Sequence, residues 1–420
     1  MSPGAHLLEQ YERHVSSGGA RMARLMASPL IQRAEGNYLF SDSGERFLSC
    51  GGFSVFLFGH QHPEIVDPVS EQLRTMALCG PTILHEGQVR AAKALADVCD
   101  DGLDCVFFLS SGAEAAELGI KLARLNGKRR LIATEGGYHG KTTGALSVTG
   151  RDLFRTPFEP LLPDVTFVPF DDVGAIEAEL SEDSCVVVEP IQGEGGVRVP
   201  ADGYLSELAR LCRSRGALLM LDEIQTGLGR TGRMWASQAE GVSPDILLTA
   251  KALGGGVMPV SAVVATEDVF QPLGRDPMLH TSTNSGNPIA AAAVIASIEL
   301  IRRHDVPRLA AELGPRLQAM LREVLEAQCP HLVAEVRGRG LLLGIEMVAP
   351  IYAAELILDL IERGVFVSST LNSHTTVRLT PSAFFGDEEV AWLRDALEGA
   401  AQAMAARHPD APSDATGDPT

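Results

Sequence analysis

Residues from about 105 to 264 alternate between short apolar and amphipathic segments, and this alternation constrains the fold most. Seven apolar segments have the length and composition of β-strands: CVFFLS, RLIAT, VTFVP, CVVVEP, ALLMLDE, DILLTA and VSAVVAT. Between two of them, GYLSELARLCRSRG has the pattern of an amphipathic helix. Strands that are apolar on both faces and separated by helices predict a parallel sheet covered on each side, the arrangement of an α/β domain.

The flanking regions have different patterns. Residues 5–15 predict a short helix, and NYLFSDSGERFLS predicts a hairpin. After a helix at about 288–303, long helices and the segments LLLGIEM, VFVSS and TVRLT predict a smaller α+β unit that ends in a helix at 387–406. We therefore expect an N-terminal segment packing with the small domain (1–50), a large domain (51–303), a small C-terminal domain (304–408) and a disordered tail (409–420).

Composition limits the function classes. The net charge of -19 and the absence of a Lys/Arg cluster argue against nucleic-acid binding. Seven cysteines without a C-x-x-C pair indicate reduced thiols. The chain shows no signal-peptide pattern and no apolar run of the roughly 18 residues that a membrane span needs, so we expect a soluble cytoplasmic protein. His60 and His62 lack further nearby ligands, and we expect no metal site.

Two glycine-rich segments resemble nucleotide-binding loops. GLGRTG (227–232) matches G-x-G-x-x-G, but a poor helix follows it and no acidic residue lies about 20 residues later. GGYHGKTTG (136–144) has three residues between Gly136 and Gly140, whereas a P-loop needs four between its glycines. A P-loop NTPase remains a remote alternative.

The turn after CVFFLS predicts a phosphate site. Ser111 and Glu114 form an S-x-x-E capping box at the start of a helix. In the same turn, Gly112 and Ala113 offer backbone N–H groups at the helix N-terminus, where a single phosphate group can bind.

Polar residues also end three other apolar strands. Asp222 ends ALLMLD, Glu189 ends CVVVE, and Lys251 follows DILLTA. A desolvated carboxylate needs a cation such as a protonated pyridine nitrogen, and desolvation frees a lysine amine as a nucleophile toward carbonyls. Glu189 could instead be structural. A phosphate seat, a buried acid and a strand-end lysine together predict a pyridoxal phosphate (PLP) site.

These residues resemble the class III pyridoxal-phosphate aminotransferases, which include ornithine, acetylornithine, 4-aminobutyrate and putrescine aminotransferases. The resemblance covers about residues 20 to 405 and implies fold type I. It is carried, in family order, by SSGAEA, GGYHG, FRTPFEPLLP, VEPIQGEGG, LDEIQTGLGRTG, DILLTAKALGGG, HTSTNSGNP, RGRGLLLGIE and VRLTP.

The resemblance implies specific roles. Lys251 would form the Schiff base and shuttle the proton, Asp222 would pair with the pyridinium nitrogen, and Tyr138 would cover the ring. Gln225 would bind the ring hydroxyl, and Thr283 would reach the phosphate of the neighbouring subunit, so that a homodimer or dimer of dimers shares its active sites. The implied cofactor-binding set is Ser111, Gly112, Ala113, Tyr138, His139, Glu189, Asp222, Gln225, Lys251 and Thr283.

Glu194 and Arg378 resemble the family's switch pair, in which the arginine binds the carboxylate of a 2-oxo acid and the glutamate neutralises it otherwise. A plain salt bridge is the alternative interpretation. The pair implies a donor with a terminal amine and an acceptor such as 2-oxoglutarate or pyruvate, reacting by ping-pong kinetics through pyridoxamine phosphate.

The sequence departs from the family at the substrate pocket. Lys141 stands where 4-aminobutyrate enzymes have an arginine, and a lysine lacks the bidentate fork. With KALGGGVMP and STLN, this lysine resembles the putrescine branch and favours a diamine or alkyl amine (or its aldehyde). Asn284 and Ser285 replace an aromatic residue and a glycine. Phe53 would line the pocket with Val55 and Phe56, or all three would be core residues.

Ornithine, acetylornithine or 4-aminobutyrate aminotransferase activity, and an aminomutase or decarboxylase of the same fold, remain alternatives.

Overall fold

The computed structural model describes residues 3–25, 29–80 and 82–409. The strands are β1 Ile31–Glu35, β2 Tyr38–Ser41, β3 Arg46–Ser49, β4 Cys105–Leu109, β5 Arg130–Thr134, β6 Val165–Val168, β7 Ser184–Val188, β8 Leu218–Asp222, β9 Ile246–Thr249, β10 Ser261–Ala265, β11 Val333–Arg339, β12 Leu342–Met347, β13 Val365–Phe366, β14 Ser368–Ser369 and β15 Thr376–Leu379.

The helices flank these strands in sequence. They are α1 Pro3–His14, α2 Ser17–Leu25, α3 Pro63–Thr75, α4 Glu86–Ala96, α5 Gly112–Leu125, α6 Thr143–Ser147, α7 Asp152–Arg155, α8 Val173–Glu179, α9 Tyr204–Arg215, α10 Glu267–Arg275, α11 Pro288–His304, α12 Val306–Gln328, α13 Pro350–Glu362 and α14 Asp387–Arg407.

All seven strands predicted between residues 105 and 265 form one sheet, in the order β4-β10-β9-β8-β7-β5-β6. Strands β5 to β9 are parallel, which confirms the α/β prediction, but β10 is antiparallel to both β4 and β9. Only residues 250–260 separate β9 from β10. A connection of this length is too short for the helical crossover that a parallel neighbour requires.

Helices cover both faces of this sheet. On one face, Leu118 and Leu122 of α5 pack with Met220 and Leu248. On the other face, Leu208 of α9 belongs to a cluster with Leu219 and Leu221. Alternate residues of β8 therefore face opposite layers, and burial on both faces explains why this strand is continuously apolar.

Two four-stranded sheets lie outside the large sheet, in the orders β1-β2-β3-β13 and β11-β12-β15-β14. The predicted hairpin is β2 and β3, and β13 pairs with β3 in parallel, with Val365 opposite Leu48. The N-terminal hairpin and a strand near the C-terminus thus share a sheet. Strand β11 was not predicted, since its sequence VAEVRGR is half polar and half-exposed.

The final helix, α14, agrees with its prediction, whereas residues 410–420 of the predicted tail lie outside the described residues. Within the described ranges, none of the helices combines the length and the apolarity that crossing a bilayer would take.

Candidate active site

A cavity of about 490 Å³ opens where β7, β8 and β9 end. Glu189, Asp222 and Lys251 follow or end these three strands, and all three line the cavity. This is the edge at which open α/β sheets bind ligands. The structure brings the following predicted residues together in its wall: Val55, Phe56, Ser111, Gly112, Ala113, Tyr138, His139, Lys141, Glu189, Asp222, Gln225 and Lys251.

Lys251 is the second residue after β9 and has a left-handed backbone, φ +48°. This conformation is uncommon for a residue with a side chain and costs about 1–3 kcal/mol, so the surrounding structure must impose it. Burial lowers the pKa of the Lys251 ammonium, while Glu194 opposes that shift. The amine is therefore more readily available as a nucleophile than an exposed lysine would be.

Asp222 and His139 form a buried pair in the cavity wall. The Nδ1 atom of His139 lies 2.7 Å from Oδ2 of Asp222, and the backbone N of Ile224 donates to Oδ1 at 3.0 Å. Burial alone would lower the pKa of His139, but the neighbouring Asp222 carboxylate outweighs burial and raises it. Sequence reasoning placed both residues at the cofactor but did not predict that they bind each other.

Glu189 supports the loop that carries Tyr138. Its two carboxylate oxygens accept hydrogen bonds from the backbone N of Tyr138 at 2.9 Å and of Gly193 at 3.0 Å. Burial raises the pKa of Glu189 to about 7, although the nearby positive charge of His139 acts to lower it. The contacts with Tyr138 and Gly193 give Glu189 a loop-holding role that the sequence did not reveal.

We expect Glu189 to make the stability of the apo-protein depend on pH. Its folded pKa of about 7 exceeds the ordinary 4.5, so the folded state binds the proton more tightly and stability falls as pH rises from about 4.5 to 7. The full penalty would be roughly 3 kcal/mol above pH 7. In chemical denaturation, Glu189→Gln should lose this slope, and an unchanged slope would show that Glu189 does not cause it.

The N-terminus of α5 has free donors for a phosphate group. Ser111 accepts from the backbone N of Glu114 at 3.3 Å, and the Glu114 carboxylate accepts from the N of Ser110 and the hydroxyl of Ser111. This cap leaves the backbone N–H groups of Gly112 and Ala113 without an acceptor among the described residues, and both line the cavity. An anion can bind to them.

Glu194 and Arg378 form a fully buried ion pair, with 2.5 Å between Oε1 and Nη1. Burial alone would raise the pKa of Glu194, but the positive charges of Arg378 and Lys251 hold it below its ordinary value. Gln225 joins the pair, accepting from Arg378 Nη1 at 2.8 Å and donating to Glu194 at 3.3 Å. The Arg378 guanidinium carbon also lies 5.0 Å from the ring centre of Phe53.

Of the remaining predicted residues, Lys141 lines the cavity, whereas Glu194, Arg378 and Phe53 are not part of its wall. The Lys141 ammonium lies 3.9 Å from the ring centre of Phe154. Thr283 is exposed and is not part of the cavity wall of its own chain. Asn284 is also exposed, whereas the Ser285 hydroxyl donates to the carbonyl of Phe108 at 2.6 Å.

The donor set of this cavity fits PLP. The free N–H groups of Gly112 and Ala113 suit its phosphate, the Asp222 carboxylate suits its ring nitrogen, and the Lys251 amine suits its aldehyde. Outside these groups, Nε2 of His139 is buried and has no partner among the described residues, so the region can take up a further polar group or water.

Comparison with known proteins supports the same conclusion. The family model for aminotransferase class-III matches residues 20–401. An ornithine aminotransferase from Toxoplasma gondii, with partial occupancy of PLP at its active site, is 30% identical over 98% of this chain and 100% of its own, with a TM-score of 0.87.

Two further enzymes are similar at lower identity. An (S)-enantioselective omega-transaminase from Thermomicrobium roseum is 27% identical over 94% of this chain and 98% of its own (TM-score 0.85). An acetylornithine aminotransferase from Elizabethkingia anophelis is 27% identical over 95% and 99% (TM-score 0.81). Both the sequence match and the fold cover nearly the whole chain, so the protein is a class III aminotransferase, a transaminase that uses pyridoxal 5'-phosphate.

Proposed function

We propose that this enzyme transfers an amino group from a donor with a terminal amine to a 2-oxo acid such as 2-oxoglutarate or pyruvate. When bound, PLP supplies the aldehyde that takes up the amino group and the ring that withdraws electrons from the reacting carbon. Donor and acceptor then react in turn at one site, which gives ping-pong kinetics.

The free edge of Arg378 carries this proposal. Only Nη1 of its guanidinium has partners, whereas Nε and Nη2 are buried and have no hydrogen-bond partner among the described residues. A guanidinium edge with two free N–H groups matches a carboxylate in a bidentate geometry. An acceptor with a carboxylate beside its oxo group would fill that edge.

Glu194 makes the region beside Arg378 suitable also for a donor that has no carboxylate next to its reacting amine. Its charge neutralises Arg378 at 2.5 Å, so an uncharged alkyl segment can lie beside the pair without leaving the guanidinium unpaired. One pocket can thus receive both substrates, which is the requirement of a transaminase whose donor amine is terminal.

Three residues would act on the cofactor or on the reacting carbon. Lys251 would hold the cofactor through Nζ and, once displaced, move a proton to and from the reacting carbon. Asp222, supported by His139, would keep a negative charge at the protonated ring nitrogen. Tyr138 would cover the ring and exclude water from its face.

The cavity wall favours an apolar chain on the donor. Val55, Phe56 and Met258 line it, and the Lys141 ammonium lies against Phe154. We therefore favour a diamine or an alkyl amine over an ω-amino acid. The two neighbours named for ornithine and acetylornithine support the broader class of terminal-amine donors.

We also propose a homodimer with shared active sites. Thr283 and Asn284 are exposed in the isolated chain and absent from its own cavity wall, as expected for residues that complete a partner's site. Light scattering should give at least twice the 44.7 kDa of one chain; the mass of one chain would contradict the proposal.

The donor class can be tested by mixing the PLP-loaded enzyme with single amines. Diamines and alkyl amines should bleach the visible cofactor absorbance at least about tenfold faster than 4-aminobutyrate, because Lys141 in the cavity wall lacks the bidentate fork that would hold the distal carboxylate. Equal rates would contradict the apolar-chain proposal, and release of CO₂ without bleaching would contradict transamination.

Arg378→Gln separates the two half-reactions in the same assay. Recovery of the absorbance on adding a 2-oxo acid should slow about 100-fold, because two hydrogen bonds to a charged group are lost. Bleaching by an amine should slow much less. An equal slowing of bleaching and recovery would indicate that Arg378 only forms a structural ion pair with Glu194 and does not bind the 2-oxo acid.

A further inference from the structure

The segment that places Tyr138 in the cavity wall begins with two glycines. Gly136 is left-handed, φ +74°, and neither glycine has a side chain to anchor it. The backbone N of Gly136 donates to Gly150 O and Gly150 N donates to Gly137 O, both at 2.9 Å. Tyr138 N donates to Glu189. The position of Tyr138 thus depends on hydrogen bonds from neighbouring segments.

Asn372, which follows β14, makes one of these contacts from the C-terminal part of the chain. Its Nδ2 donates to Gly136 O at 2.8 Å and to Gly137 O at 3.2 Å. No other group among the described residues donates to Gly136 O. Asn372 itself is not part of the cavity wall.

The backbone around Asn372 is held to the switch pair. Leu371 N donates to the Glu194 carboxylate at 3.0 Å, and Asn372 N donates to the Glu194 carbonyl at 2.9 Å. From the other side, Arg151 donates to the Asn372 carbonyl. Residues 371–372 therefore contact both Glu194 and the glycine segment that precedes Tyr138.

We infer that Asn372 is a positioning residue, whose side-chain amide fixes the Gly136–Gly137 segment and thereby holds Tyr138 at the cofactor. The inference rests on the proposed role of Tyr138. Because residues 371–372 also hold Glu194, a movement of Glu194 away from Arg378 is transmitted to the segment beside the cofactor ring. Binding of a substrate carboxylate by Arg378 would in this way affect the position of Tyr138 over the cofactor ring.

An amide suits this position because both partners are carbonyl oxygens. Asparagine donates two N–H groups, whereas aspartate of nearly the same shape offers only acceptors when ionised. Asn372→Asp would set a carboxylate against two carbonyls, and Asn372→Ala would only remove the donors. Asn372 is half-buried, and Ser373→Ala is the matched control, since among the described residues the Ser373 hydroxyl forms hydrogen bonds only with Thr375 and Thr376.

Hydrogen–deuterium exchange of the PLP-loaded enzyme tests the inference without relying on activity. In Asn372→Asp and Asn372→Ala, amides 136–140 should exchange about tenfold faster, as expected for the loss of up to two hydrogen bonds, while strands β7 and β8 exchange as before. Ser373→Ala should match the wild type. Unchanged exchange at 136–140 in Asn372→Asp would overturn the inference.

Kinetics then test whether the segment matters for the reaction. Both Asn372 variants should lose cofactor faster and show a several-fold lower kcat with amine and oxo acid alike, with smaller changes in KM. Faster exchange with unchanged kcat and cofactor release would instead overturn the proposed role of Tyr138, and with it the positioning role of Asn372.

Discussion

Lys251→Ala should remove covalent cofactor binding and lower the rate of transamination by at least about 10³-fold, because one amine serves as both nucleophile and proton carrier. Borohydride reduction followed by mass measurement should attach PLP to the wild type and not to the variant. Lys93→Ala, which removes an exposed lysine paired with Asp97, should keep both properties. Retention of the covalent adduct in Lys251→Ala would refute the assignment.

Lys251→Gly adds a stability measurement to the same experiment. Glycine adopts φ +48° without strain, so the apo-variant should be about as stable as the wild type or about 1 kcal/mol more stable in chemical denaturation, although it is equally inactive. A substitution that raises stability but abolishes activity indicates that the residue is retained for activity and not for stability. A marked loss of stability would mean that the lysine side chain has a structural role.

The sequence predicted the large sheet well because each strand is a local pattern of apolar residues bounded by polar ones. The strand-end positions of Glu189, Asp222 and Lys251 follow from that pattern, since parallel strands bring their carboxyl ends to one edge. The reversal of β10 escaped prediction, because strand direction depends on the connection and not on the strand's own composition.

Contacts between distant segments could not be read from local patterns. Arg230 lies within GLGRTG, a candidate nucleotide loop, yet its guanidinium is fully buried and donates to the carbonyls of Leu341 and Pro381. It joins the large sheet's loops to the C-terminal part of the chain. Asn372 contacts Gly136 in the same long-range manner. Both residues lie in segments quoted for the family resemblance, GLGRTG and STLN, but neither segment predicts these contacts.

Asp222→Asn should lower kcat/KM by roughly 10²–10⁴-fold for the amine and the 2-oxo acid alike, because losing one member of a buried charge pair costs about 3–5 kcal/mol. The ring nitrogen would be left without its anion in both half-reactions. Single-turnover measurements with each substrate give the two losses separately. Unequal losses would indicate that Asp222 contacts a substrate and not the ring.

Asp245→Asn is the matched control for this substitution. Asp245 is a half-buried aspartate at the opposite end of β9, where its carboxylate accepts from the backbone N of Leu219 at 2.7 Å. Its loss should affect stability and leave the cofactor spectrum unchanged. In Asp222→Asn, by contrast, His139 also loses the carboxylate that raises its pKa. NMR titration should therefore find His139 neutral at a pH where the wild type is still protonated, which connects the kinetic loss to a change in charge behind the cofactor ring.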